Sequence, residues 1–160
     1  MASSVDDVLC VLPPAGEARA DALSGLGLRS VVNLRTEEGM GTSIAAGAAA
    51  LGAEIDAAMI VLGDMPELTV EDTDRMLAAF DPSDGRAIVR AVGRDGKPGQ
   101  PVLFGRRFFE ALQGLEGDAG ARKIVSEHPE FVADVALEAD HAMIDLDTPE
   151  DWEKWRSGKA

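Results

Sequence analysis

Tyrosine is absent from the 160 residues, and Phe and Trp together reach only 4%. A chain so poor in rings offers few platforms on which nucleic-acid bases could stack. Cysteine occurs once, at Cys10, which excludes an internal disulfide and a cysteine-built zinc cage and favours a reducing compartment. Basic residues are scarce as well: 15 Lys and Arg stand against 29 Asp and Glu, for a formal net charge of −14. That excess disfavours nonspecific adhesion to nucleic acid or to an anionic membrane. It remains compatible with a nucleotide ligand, because Mg²⁺ bridges two anions. No apolar run reaches the roughly 20 residues of a membrane span, and no basic stretch leading into an apolar one opens the chain. Together these absences predict a soluble cytoplasmic protein with no nucleic-acid or membrane partner.

What is present suffices for a core. Hydrophobic residues make up 46% of the chain, and a chain of this size buries roughly 70% of the surface its unfolded form exposes. One domain over residues 1–160 is expected. Short apolar runs at 8–12 and 57–62 read as buried strands and residues 29–34 as a further strand, separated by helical patterns at 15–25 and 44–51. Thr42 or Ser43 is a plausible N-cap for the second of these. Thr69-Val70-Glu71-Asp72 predicts a capping box at the start of a helix that Asp81-Pro82 ends. The second half predicts strands at 87–92, 101–104, 131–137 and 142–144, a turn at 94–97 and a helix at 108–115. A short helix follows, capped by Asp118. A last helix starts at Thr148, with Pro149 in its first position and two acids behind it. Alternation of strand and helix predicts an α/β fold with a mostly parallel sheet.

Candidate chemistry gathers where strands end. Asp64 directly follows an apolar strand, where open α/β sheets bind ligands. It reads either as a Mg²⁺ ligand or as a loop Asp capping the helix at 69–80. Asp145 and Asp147 flank Leu146; if the strand continues, alternation sends the two carboxylates to opposite faces, and one could meet Asp64. The competing reading has Asp147 supporting the N-terminus of the last helix. Gly39, Gly41 and Ser43 precede a helix and could expose backbone amides to an anion or base, or form a plain turn. Gly99, Gln100 and Pro101, with Asp118 and Arg122, form a second Gly-rich group in which Arg122 could grip a phosphate or pair on the surface. His128 and His141 lack partners at metal-ligand spacing, so solvated or structural roles are expected. Cys10 reads as core, and Trp152 and Trp155 as one packing face of the last helix.

The order of these motifs carries a resemblance. Gly39-Met40-Gly41-Thr42-Ser43, Leu62-Gly63-Asp64-Met65-Pro66, Gly99-Gln100-Pro101-Val102, Gly117-Asp118-Ala119-Gly120-Ala121-Arg122 and Asp145-Leu146-Asp147-Thr148-Pro149-Glu150-Asp151 together resemble the MobA/MocA-like NTP transferases. These enzymes make molybdopterin dinucleotide cofactors. The Gly-Asp-x-Gly-Ala-Arg segment looks like the cytidylyltransferase branch. The resemblance implies a three-layer, Rossmann-like nucleotidyltransferase fold of the nucleotide-diphospho-sugar transferase type. It also implies transfer of CMP from CTP to molybdopterin, with Mg²⁺ as cofactor. Asp64 and Asp147, or Asp145 in place of Asp147, match the family's carboxylates for catalysis and metal. Gly39, Gly41 and Ser43 match the base and ribose segment. Gly99, Gln100, Pro101, Asp118 and Arg122 match the pterin side.

The chain departs from that family at its start. Members open with a strand and a Leu-Ala-Ala-Gly-type phosphate loop, which has no counterpart before Val8. Pro13-Pro14-Ala15-Gly16 follows the wrong strand and lacks amide donors at its prolines. The expectation is a domain without its first strand and phosphate loop. Strand 8–12 then either pairs directly with strand 57–62 or leaves open edges that invite self-association or a molybdoenzyme-maturation partner. Two further readings stay open: a non-catalytic pterin-binding relative, and a nucleotidyltransferase for another acceptor such as a sugar phosphate or phospholipid head group.

Overall fold

The structure, a computed structural model, describes residues 5, 7–15, 17–118 and 120–158. Most of the segment before Asp7, together with Gly16 of the Pro-Pro-Ala-Gly stretch and Ala119 of the Gly-Asp-Ala-Gly segment, lies outside the described residues.

Two parallel strands open the fold, β1 (Leu9–Leu12) and β2 (Arg29–Val32), joined through α1 (Glu17–Leu23). Next come α2 (Met40–Ala49), β3 (Ala57–Ile60) and α3 (Val70–Ala79). Strands β4 (Ile88–Val92) and β5 (Pro98–Gly105) form a hairpin-like pair, followed by α4 (Phe109–Gln113), α5 (Arg122–Glu127), β6 (Val132–Ala136) and α6 (Pro149–Gly158). The second sheet has the order β3-β5-β4-β6. Within it β4 and β6 are parallel, and β5 alone runs against its neighbours.

Sequence alternation explains the layers. On β4 and β5, Ile88, Val102 and Phe104 face a core shared with Ala48 of α2, Leu112 of α4 and Val125 of α5. Val89, Ala91 and Leu103 point to the other face, against Met76 of α3, Leu137 and Ala142. A strand apolar on both faces must be covered on both, and here helices cover both. The result is a three-layer α/β arrangement. No helix among the described residues is long and apolar enough to cross a membrane.

The first strand takes the open-edge arrangement. Among the described residues β1 pairs with β2 and β3 pairs with β5, so neither meets the other. Both are apolar throughout, yet both keep partial exposure. Helix α2 connects the two sheets: Val11 of β1 lies against Gly47, while Ile44 and Ala48 belong to the core that includes Ala58 and Ile60 of β3.

Several local expectations need correction. Helix α2 begins at Met40 with Gly39 as N-cap, so neither Thr42 nor Ser43 caps it. Gly39 has φ 110°, a conformation that favours glycine. The Thr42 hydroxyl instead lies 2.8 Å from the Arg35 carbonyl and 2.9 Å from that of Gly39. Asp118 does not cap a helix, because α5 begins only at Arg122, after Ala121. Residues 142–144 form a turn in place of a strand: the Met143 and Ile144 amides both donate to the Asp140 carbonyl. Asp145 and Asp147 therefore do not alternate along a strand. The capping box at Thr69 and Asp72 is present as expected. Trp152 and Trp155 meet edge to face at 5.8 Å.

Candidate functional site at the carboxyl edge of the sheet

Because β3, β4 and β6 share a direction, their carboxyl ends open on one edge, and the segments that follow them meet there. Asp64 lies four residues beyond the end of β3. Its backbone carbonyl accepts a 3.0 Å hydrogen bond from the Leu146 amide. That bond brings Asp145-Leu146-Asp147 to Asp64 from 82 positions along the chain. Leu146 is buried, while Asp145 and Asp147 on either side of it are exposed. The Leu146 carbonyl also accepts a 3.1 Å bond from the Trp152 indole, which fixes the segment against α6.

The structural roles that competed for these carboxylates are filled by other residues. The start of α3 is closed by Thr69 and Asp72, whose amide donates to the Thr69 hydroxyl at 3.1 Å. The start of α6 is closed by Thr148 and Asp151, whose oxygens lie 2.6 Å apart. The Thr148 hydroxyl bond, with smaller help from its backbone and from Lys154, outweighs burial and holds the Asp151 carboxyl below its usual pKa. Asp64 serves neither helix. Its Oδ1 is buried and has no hydrogen-bond partner among the described residues. A buried carboxylate oxygen without a partner is costly.

Gln100 Oε1 is also buried and without a partner among the described residues. The β3–β5 register pairs Ile60 with Val102, so continuing it sets Gln100 opposite Leu62, just before Asp64. The Gln100 amide donates to the Ala142 carbonyl at 2.9 Å. At Gly99 a side chain would collide with that same carbonyl. Pro101 is fully buried.

Gly39, Gly41 and Ser43 meet Gly117 and Asp118 in a second group. The Gly41 amide donates to the Gly117 carbonyl at 2.7 Å, and the Gly39 amide to Thr36 at 3.3 Å. A Cβ at Gly39 would strike Asp118 Oδ1, and one at Gly41 would lie 2.7 Å from the Gly117 carbonyl oxygen. The glycine amides expected to be exposed are therefore used within the chain, and the small residues there permit backbone-to-backbone packing. Ser43 Oγ accepts from Asn33 Nδ2 at 3.1 Å. Asp118 and Arg122 are exposed, Arg122 as the first residue of α5.

Two buried polar links escape sequence reasoning. Asn33 is buried at the end of β2, where its Nδ2 donates to Thr42 at 2.9 Å and its Oδ1 accepts from the Arg35 amide at 2.9 Å. It ties the loop before α2 into a fixed shape. Asp72 is only 1% exposed and meets His141 Nδ1 at 2.7 Å. Burial raises the Asp72 pKa, but bonds from the Thr69 side chain, His141 and the Thr69 backbone outweigh it, so the carboxyl sits below its usual range. An Asn ending a strand and a capping Asp are visible signals, but their partners are not.

Metal capacity follows from the donor set. Among the described residues no three His, Cys, Asp or Glu side chains converge. Asp64, with Asp147 or Asp145 close by, offers hard oxygen donors and one orphaned oxygen. Such a set suits Mg²⁺ or Mn²⁺, which take one or two carboxylates and complete their shells with water and phosphate.

Comparison with known proteins bears on the family and the fold. Residues 1–132 match the MobA-like NTP transferase domain. The purine catabolism protein PucB of Bacillus subtilis (strain 168) is 31% identical over 125 residues, which is 75% of this chain and 57% of PucB. The chain thus spans less than two thirds of that relative. The crystal structure of Rv0371c from Mycobacterium tuberculosis H37Rv, a manganese complex, superposes with a TM-score of 0.76 at 25% identity, covering 95% of this chain and 78% of that one. A nucleotidyl transferase from Methanothermobacter shares the fold, with a TM-score of 0.78 at 19% identity over 97% of this chain and 74% of that one. This chain belongs to the MobA-like NTP transferase domain family and has the Rossmann-like nucleotidyltransferase fold.

Proposed function

We propose that the chain forms the metal-side and acceptor-side walls of a nucleotidyltransferase that moves CMP from CTP to molybdopterin. In that reaction a terminal phosphate oxygen of the acceptor attacks the α-phosphorus of CTP. A new P–O bond forms, the bond to the β-phosphate breaks, and pyrophosphate leaves. The observation that carries the reading is Asp64: buried at Oδ1, without a hydrogen-bond partner among the described residues, and clasped through its carbonyl to the segment of Asp145 and Asp147.

Asp64 and Asp147, with Asp145 as the alternative to Asp147, would hold Mg²⁺. When bound, the ion would screen the phosphates and stabilise charge on the transferring group. The chain's own residues orient the reactants. The 39–43 segment, stiffened by Asn33 and by the Gly117 carbonyl, walls the nucleotide base and ribose. Gly99, Gln100 and Pro101 wall the acceptor, with Asp118 and Arg122 further out and Arg122 free to reach phosphate. CTP as donor is favoured by the Gly117–Arg122 segment and by a fold neighbour described as a CMP-ketodeoxyoctonate synthetase complexed with CTP.

Binding of CTP with Mg²⁺ or Mn²⁺, measured by calorimetry on the wild type and on Asp64→Ala, tests the reading. Metal-dependent binding that Asp64→Ala abolishes is the expected result. Equal binding by both proteins would refute Asp64 as the metal-side carboxylate.

A further inference from the structure

The 137–147 connection between β6 and α6 passes over the carboxyl ends of β4 and β3 and the amino end of the antiparallel β5, and it is fastened at each crossing. The Leu137 amide donates to Val92 at 3.1 Å, the Ala142 carbonyl accepts from Gln100 at 2.9 Å, and the Leu146 amide donates to Asp64 at 3.0 Å. These three contacts are made by backbone. A fourth is made by a side chain: His141 Nδ1 reaches Asp72 Oδ2 at 2.7 Å on the first turn of α3.

The middle of the connection has a shape of its own that needs holding. The His141 amide donates to Glu138, and the Met143 and Ile144 amides converge on Asp140. Ala139 sits at φ 46°, in the left-handed region that a residue with a Cβ adopts at a cost. Ala142 is buried and pressed against Gly99, where no side chain fits. His141 sits at the apex of this turn. Its partner Asp72 is immobilised twice by Thr69, through the hydroxyl at 2.8 Å and the amide at 3.1 Å. A rigid anchor on α3 thus holds a strained turn, and that turn carries both neighbours of the candidate site.

We propose that His141 is a positioning residue: its bond to Asp72 seats the 137–147 connection so that Ala142 braces Gly99 and Gln100 while Leu146 delivers Asp145 and Asp147 to Asp64. The consequence for metal binding rests on the reading of Asp64 above. The latch itself does not.

Hydrogen exchange of the metal-free protein reads the latch directly. In His141→Ala, protection of the Gln100 and Leu146 amides is expected to fall about tenfold, while Val89 and Leu103 in the central strands keep theirs. His141→Asn, whose amide can donate from nearly the same place, is expected to restore protection. Unchanged exchange at Gln100 and Leu146 would overturn the proposal. So would a loss that extends equally to Val89 and Leu103, or a variant that fails to fold, because His141 would then support the whole fold and not this connection. Manganese titration followed by the electron paramagnetic resonance of the free ion separates the two claims. Weaker binding in His141→Ala with recovery in His141→Asn joins latch to site. Binding that survives in Asp64→Ala sinks the metal reading and leaves the exchange result to stand alone.

Discussion

Gly41 and Gly47 lie on the same helix, and a methyl group added to each meets different surroundings. At Gly41 the nearest atoms are backbone: the Gly117 carbonyl oxygen at 2.7 Å and the Glu116 carbonyl at 2.9 Å. Backbone cannot swing aside, so Gly41→Ala must push the 116–118 segment away and break the 2.7 Å bond from its own amide. The helix gains up to about 1 kcal/mol from Ala over Gly, but overpacking of this kind costs about 1–3 kcal/mol. A net loss near 1–2 kcal/mol is expected in urea unfolding, with the Gly117–Asp118 segment loosened. At Gly47 the nearest atom is Val11 Cγ2 at 3.1 Å, the end of a side chain. Gly47→Ala should therefore stay within about 0.5 kcal/mol of wild type, the helix gain offsetting a small shift. If both variants unfold alike, the tight approach at Gly41 is not what that glycine is for. Sequence alone shows glycines before a helix, a pattern that phosphate-binding turns and close backbone crossings share. The distinction lies in residues 116–118, which are remote in the chain.

Helix α3 was legible because its signals are local: Thr69, Asp72 and the Asp81-Pro82 stop lie within one stretch of sequence. Its link to the rest of the molecule was not, since Asp72 finds His141 69 positions away. The reverse error occurs at Ala142-Met143-Ile144. Three apolar residues read as a strand, yet the Asp140 carbonyl collects two amides and folds them into a turn. Tertiary contact with Gly99 decides that outcome, and no periodicity records it. Asp72 also makes α3 sensitive to acid. Its carboxyl is depressed in the folded protein relative to the ordinary value of 3.8. A depressed carboxyl stabilises the fold at pH above its unfolded value, and that stability disappears as pH falls through the lower folded value. Asp72→Asn should cost about 1–3 kcal/mol at neutral pH, because the Thr69 and His141 donors lose a charged, buried acceptor. Unfolding midpoints of the two proteins should then converge as pH drops below the ordinary carboxylate range. A gap that stays constant down to that range would mean that the charge on Asp72 contributes nothing.

At the scale of the molecule, 29 acids face 15 bases, and the site adds a buried carboxylate oxygen without a partner among the described residues. Like charges destabilise the compact state, so any salt that screens them should raise the melting temperature. A divalent ion at Asp64 would add a second, site-specific stabilisation by binding the folded chain in preference to the unfolded one. The two effects separate at matched ionic strength. Monovalent salt screens every acid about equally, whereas Mg²⁺ or Mn²⁺ should raise the midpoint further, by roughly 2–4 °C for each 1 kcal/mol of binding. In Asp64→Asn that excess should vanish while the response to monovalent salt persists, because a change of −14 to −13 barely alters overall repulsion. Equal divalent excess in both proteins would place the ion among the exposed acids and remove the metal from the carboxyl edge. The same melts bear on the two-sheet arrangement. The bond from Leu146 to Asp64 ties the segment before the last helix to the segment after β3. An ion seated at Asp64 should therefore slow exchange at Leu146 more than at β1, which pairs with β2 and packs on α2.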